Sequence, residues 1–147
     1  MDLGHVRTGD AQLDQLMREF YEVISFEEGR SPDWARMASL FSSHARITRL
    51  TPEGIDYLDL NGFRDLAEEL IEVGVFTSFF EREVGRRTQQ FGDVVHIASA
   101  FETRISPDAR DYIERGVNSL QLIREAGRWR IISLCWDTAA EASYAEE

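Results

Sequence analysis

Between Asp10 and Ile24 the apolar residues fall at Leu13, Leu16, Met17, Phe20, Tyr21 and Ile24. Steps of three and four place them in one stripe along a helix. Gly29 ends that pattern. Ser31 then offers a capping hydroxyl and Pro32 suits a first helical position, so a short second helix is expected through Trp34, Met37, Leu40 and Phe41. His44 to Leu50 alternates as a strand does, and Thr51-Pro52-Glu53-Gly54 is turn chemistry. Asn61 is placed to cap a third helix with the stripe Phe63, Leu66, Ala67, Leu70 and Ile71, which Gly74 closes.

From Thr77 the period changes to that of strands. Four long strands are expected, from about Ser78 to Phe91, Val94 to Ile105, Tyr112 to Arg124 and Arg128 to Asp137. Gly92-Asp93 and Ala126-Gly127 turn two hairpins, and Ser106-Pro107-Asp108 opens a longer connection. Helices ahead of an antiparallel meander predict an α+β fold, with N-terminal helices packed on a strongly curved antiparallel sheet around a central pocket. One domain is expected over residues 10–138, with residues 1–9 and 139–147 as flexible tails.

With Ala126 and Gly127 as loop residues, Arg124 faces Trp129, Leu122 faces Ile131, Leu120 faces Ser133 and Asn118 faces Cys135. One face then carries Asn118, Leu120, Leu122, Trp129, Ile131, Ser133 and Cys135. The other carries Val117, Ser119, Gln121, Ile123, Arg130, Ile132, Leu134 and Trp136. Neither face has the clean polar alternation of a solvated surface. One meets the helices, and the other predicts a homodimer through the outer sheet face. The pattern leaves open which face is concave, because a slip of one residue exchanges the two.

The length of 147 residues fits one domain, and the net charge of −11 argues against nucleic-acid or anionic-membrane partners. No apolar run approaches the roughly 20 residues of a membrane span, and Met1 to Asp10 has no apolar signal core, so a cytoplasmic protein is expected. The single Cys135 reads as a small buried hydrophobe. Three histidines and one cysteine show no ligand spacing, so neither a metal nor another cofactor is expected.

Particular phrases carry a resemblance. They are Asp33-Trp34 leading to Leu40-Phe41, Ala45-Arg46-Ile47, Phe91-Gly92-Asp93-Val94-Val95, Arg115 through Leu122, and Gly127-Arg128-Trp129-Arg130-Ile131 through Trp136-Asp137. In this order they resemble the nuclear transport factor 2-like superfamily, which includes SnoaL-like cyclases, ketosteroid isomerase and scytalone dehydratase. The resemblance spans about residues 10–138 and looks closest to a bacterial group without an assigned activity. It implies a cone-shaped pocket between the long helix and the concave sheet, and dimerisation. Carried over from ketosteroid isomerase, the base position falls near Arg49, which is permanently cationic. The acid donor falls near Asn118 or Ser119, and Tyr21 approximates the tyrosine. The histidine pair of scytalone dehydratase has only His44 and His96 as counterparts within the fold.

Among candidate residues, His96 and Glu102 share a face of the second long strand and would act as base and polariser if that face is concave. A plainer alternative places them near solvent or a dimer rim. Glu81 and Glu83 also share a face; as paired carboxylates they could trap a proton or a metal, but Arg82, Arg86 and Arg87 make an ion-pair network the favoured reading there. Asn118 sits in an apolar strand and needs partners, as a pocket hydrogen-bonder or in a structural bond. Tyr21, Trp34 and Phe63 complete the expected ligand-binding set, with Trp129 and Trp136 as aromatic alternatives to plain core. Two functions follow. One is a small-molecule pocket for an apolar or aromatic ligand, as a cofactor-free SnoaL-like lyase, isomerase or hydrolase. The other is a non-catalytic dimeric protein-interaction module.

Overall fold

The computed structural model describes residues 10–137. The expected tails at 1–9 and 139–147 lie outside the described residues. Helix α1 spans Ala11–Ile24, capped by the Asp10 carboxylate, which accepts from the Gln12 and Leu13 amides. Its stripe of Leu13, Leu16, Met17, Phe20, Tyr21 and Val23 is buried. The second helix, α2, is only Trp34–Ala38. Its cap is Asp33, whose carboxylate accepts from the Arg36 amide, in place of the expected Ser31 and Pro32. Leu40 and Phe41 fall outside it. Both are buried, and Phe41 opens strand β1, Phe41–Thr51.

After the turn at residues 51–54 comes a strand that the sequence reading left out, β2 at Gly54–Leu58. It pairs antiparallel with β1, Thr51 against Gly54 and Ile47 against Leu58. Helix α3 spans Leu60–Glu72 and is capped by Asp59, at 2.7 Å from the Gly62 amide, and not by Asn61. Gly74 follows with a φ of +81°, the left-handed conformation that closes a helix. Strands β3 (Phe80–Phe91), β4 (Val94–Arg104), β5 (Glu114–Glu125) and β6 (Arg128–Asp137) complete the sheet. The six strands run in the order β2-β1-β6-β5-β4-β3. The meander is antiparallel as expected, but β1 joins β6 in parallel, so the sheet as a whole is mixed.

Of three register slips in the sheet, one of them between Phe41 and Arg46 where β1 meets β6, two decide which side chains meet at the concave face. In the last hairpin Arg124 faces Trp129 and Leu122 faces Ile131, as the sequence predicts. Between Gln121 and Leu122 the register then slips, so that Leu120 faces Leu134 and Asn118 faces Trp136. Leu134 and Trp136 therefore join the concave face, while Ser133 and Cys135 turn outward. This reverses the expected placement of those four residues. A second slip lies between Glu83 and Gly85. It brings Arg86 onto the same concave face as Glu81 and Glu83, where an unbulged strand would send it outside.

The core fills the space between α1 and the concave face, with Phe20, Ile47, Ile97, Leu120, Leu122 and Ile131 nearly or fully buried. Among the described residues no helix is long and apolar enough to cross a membrane.

Candidate functional site

Helix α3 has an amphipathic stripe, yet none of its residues is fully buried. The reason lies beneath it. The helices and the concave sheet enclose a cavity of about 180 Å³, whose aromatic wall includes Phe20, Trp34, Phe41, Phe63, Phe101 and Trp136. Trp34 donates its indole N–H to Glu68 on α3, and Phe63 packs edge-on against both Trp34 and Trp136. Four polar side chains reach the same wall: Arg49, Glu81, Glu114 and Asn118.

Glu81, Thr103 and Glu114 form one row across β3, β4 and β5. Glu81 is fixed by its own backbone, whose amide donates to Ser25 Oγ at 3.1 Å just beyond α1. Phe26, one residue further, bridges to Phe79 and ties the end of α1 to the start of β3. The Glu81 carboxylate accepts from Asn118 Nδ2 at 3.0 Å. Burial pushes this carboxyl up to about 8; the Asn118 bond opposes that rise and the nearby Glu114 adds to it. Glu114 is also raised by burial, and Arg49 opposes its rise. Arg49 itself reaches Asp56 at 3.2 Å.

Behind Glu81 runs a continuous chain of polar contacts. Asn118 Nδ2 also donates to Tyr21 Oη at 3.1 Å, and Tyr21 Oη lies 2.6 Å from Ser99 Oγ. Ser99 donates to Glu83 Oε2 at 2.5 Å. Glu83 is gripped through both oxygens by Arg86, which also reaches Asp14 on α1 at 2.7 Å. Burial and the Glu81 charge hold the Tyr21 hydroxyl well above its usual range, so it stays protonated. The expected ion-pair network of Glu81 and Glu83 is thus divided: Glu83 belongs to Arg86, and Glu81 faces the cavity with an amide as partner.

Of the residues singled out from sequence, Trp34, Phe63 and Asn118 line the cavity and Tyr21 lies directly behind Asn118. His96 and Glu102 do not join them. Both project from the convex face, separated by six residues of one strand, about 20 Å at roughly 3.3 Å per residue. His96 is exposed and shares a 3.0 Å hydrogen bond with Ser119. Glu102 sits in a cage of Arg82, Arg104 and Arg115, at 2.6, 2.8 and 3.5 Å. Burial would raise its carboxyl, but the bonds from Arg104 and Arg82 outweigh that and hold it below the usual range. A carboxylate kept charged in this way is a poor base. Trp129 is core, and its indole donates to Asp10. Sequence reasoning weighed Glu81 only as half of a carboxylate pair with Glu83 and favoured an ion-pair network for both; its one signal was that shared face. Among the described residues no three His, Cys, Asp or Glu side chains come together to hold a metal ion.

No protein-family model and no curated protein matches the sequence. Solved structures do match the fold. A cystatin-like protein of unknown function from Nostoc punctiforme aligns over 90% of this chain and 93% of its own, with a TM-score of 0.67 at 12% identity. A nuclear transport factor 2-like protein of unknown function from Pseudomonas putida aligns over 91% and 89%, with a TM-score of 0.67 at 10% identity. A hexachlorocyclohexane dehydrochlorinase, LinA type 2, aligns over 86% and 82%, with a TM-score of 0.65 at 16% identity. The chain has the nuclear transport factor 2-like fold.

Proposed function

We propose that the cavity binds a small apolar or aromatic molecule and that Glu81 exchanges a proton with it, in a cofactor-free lyase, isomerase or hydrolase reaction. One observation carries this reading: the Glu81 carboxyl, which burial pushes up to about 8, stands in the wall of an aromatic cavity, held by an amide and not by an arginine. A group that both gains and loses a proton near neutral pH is matched to general acid–base work. The aromatic walls supply affinity for an apolar ring, and Trp34, Phe63 and Asn118 would contact it. The same fold carries a dehydrochlorinase of hexachlorocyclohexane, so an apolar ring compound is a substrate this architecture can accommodate. The test is native mass spectrometry of the purified protein, followed by a denaturing run that releases what is bound. A reproducible small-molecule adduct that Glu81→Gln weakens is the expected result. An adduct indifferent to that change would remove Glu81 from the site.

A second reading is favoured by the convex face. Its centre carries the small side chains of Ala98, Ala100, Val117, Ser119 and Cys135. We propose that two copies pair through this face. A dimer without adduct in the same spectrum would favour a non-catalytic interaction module, and a monomer across micromolar concentrations in light scattering would remove the pairing.

A further inference from the structure

The chain from Arg86 to Glu81 has only one consistent direction while Glu83 is ion-paired. Glu83 is held by Arg86 through both oxygens, with Asp14 completing the guanidinium's partners. A carboxylate in that pair only accepts, so Ser99 donates its single hydroxyl proton to it. Ser99 Oγ must then accept from Tyr21. With its proton committed to Ser99, Tyr21 can only accept from Asn118, so the amide turns Nδ2 and not Oδ1 towards it. The same Nδ2 donates to Glu81 Oε2. The donor that Glu81 receives is thus fixed four contacts away, at a side chain outside the cavity wall.

We infer that Arg86 is a positioning residue for Glu81: it sets the direction of the hydrogen-bond chain, and through it which oxygen of Glu81 is free to present a proton to the cavity. This rests on the reading of Glu81 as the cavity's proton-transfer group. In the native direction Asn118 donates to Oε2, which leaves Oε1 as the oxygen outside the chain, and the Glu81 anion keeps a donor. Without Arg86 no cation holds Glu83 to accepting only, and the reversed chain, in which residue 83 donates to Ser99, becomes open. Every bond then reverses. Ser99 donates to Tyr21, Tyr21 donates to Asn118, and the amide must turn Oδ1 inward. Glu81 then spends its proton on Asn118, and its anion loses a donor. The chain is a two-state element, and Arg86 selects the state.

The groups facing Glu81 are Tyr21 from α1, Asn118 and Glu114 from β5, and the backbone hold of Ser25; Arg49 from β1 stands beside Glu114. Arg86 acts on it only through the chain or through a long-range field, and the two are separable. The experiment follows the Glu81 side-chain carbon by nuclear magnetic resonance across pH in the ligand-free protein. Variants are Arg86→Met, Ser99→Ala and the double change. Arg86→Met is expected to raise the Glu81 titration by about one pH unit, the worth of one hydrogen bond to the anion. Ser99→Ala cuts the chain and leaves every charge in place, so in that background Arg86→Met should have no effect. An equal shift in both backgrounds would assign the effect to the field and overturn the proposal. No shift in the parent background would overturn it as well. Should Arg86→Met fail to fold, Glu83→Gln removes the same anchor and is scored in the same way. The titration needs no ligand, so a failure here is distinct from a failure of the cavity to bind one.

Discussion

Glu81 and Glu102 are near neighbours in the β3–β4 ladder: Arg82 pairs with Glu102, and Glu81 precedes Arg82. Burial acts to raise both carboxyls, yet they end in opposite states. On the convex side three arginines surround Glu102 and keep it charged. On the concave side Glu81 meets an amide, an aromatic wall and a second carboxylate, and its proton is retained to about pH 8. Burial raises each; at Glu102 the arginine bonds outweigh it, and at Glu81 the single amide does not. An ion cage organises structure: Arg104 reaches from Glu102 to the carbonyls of Ala109 and Arg110, securing the loop that follows β4. A carboxyl without a cation is free to exchange its proton, which is of use only where a ligand can reach it.

That contrast is open to attack, most strongly through pH. Glu81 holds a proton in the folded chain that the unfolded chain releases near its ordinary value of 4.5. Its contribution to stability is full below that value and is lost as pH rises to about 8, at up to about 1.4 kcal/mol per pH unit within the window. Glu81→Gln should erase this slope, read as urea-unfolding midpoints at several pH values, and leave the variant more stable than the parent above about pH 8. A slope that survives the substitution would mean that Glu81 is solvated. Glu102 has the opposite sign. Its contribution is present above its ordinary value and is lost as pH falls through its lowered folded value. Glu102→Gln leaves the arginines with a neutral partner and should cost about 2–3 kcal/mol near neutral pH, a deficit that narrows in acid.

Gly116 sharpens the contrast structurally. A Cβ there would lie 2.5 Å from the Asp137 carbonyl and 2.8 Å from Phe101 Cζ. Gly116→Ala should destabilise by about 1–3 kcal/mol in thermal unfolding and press Phe101 into the cavity, disturbing the Glu81 titration more than the Glu102 cage. The smallest effect belongs to His96, exposed on the convex face. His96→Ala should change stability by less than about 0.5 kcal/mol and leave ligand affinity in a calorimetric titration untouched.

The elements were legible because their periods are strong: the α1 stripe, the two hairpin turns and the pairing of Arg124 with Trp129 all follow from residue type and spacing. Local chemistry decided less than expected at helix starts, where Asp33 and Asp59 cap in place of Ser31 and Asn61. Each is a short carboxylate at a place where either neighbour would also serve, so composition does not choose between them. The site was obscured by the two bulges. An alternation counted along β6 assigns Leu134 and Trp136 to the wrong side, and one counted along β3 separates Arg86 from Glu83. Bulges answer to the curvature of the whole sheet, which no single strand encodes. Asn118 was legible as an amide needing partners, but not that Glu81 would be one of them, 37 positions away.

The hollow under α3 has a consequence of another kind. Its wall is largely aromatic and aliphatic side chain. An occupant that covers this wall takes apolar surface out of water, and burying apolar surface on binding lowers the heat capacity. The temperature dependence of the binding enthalpy therefore reports how much of the wall an occupant covers.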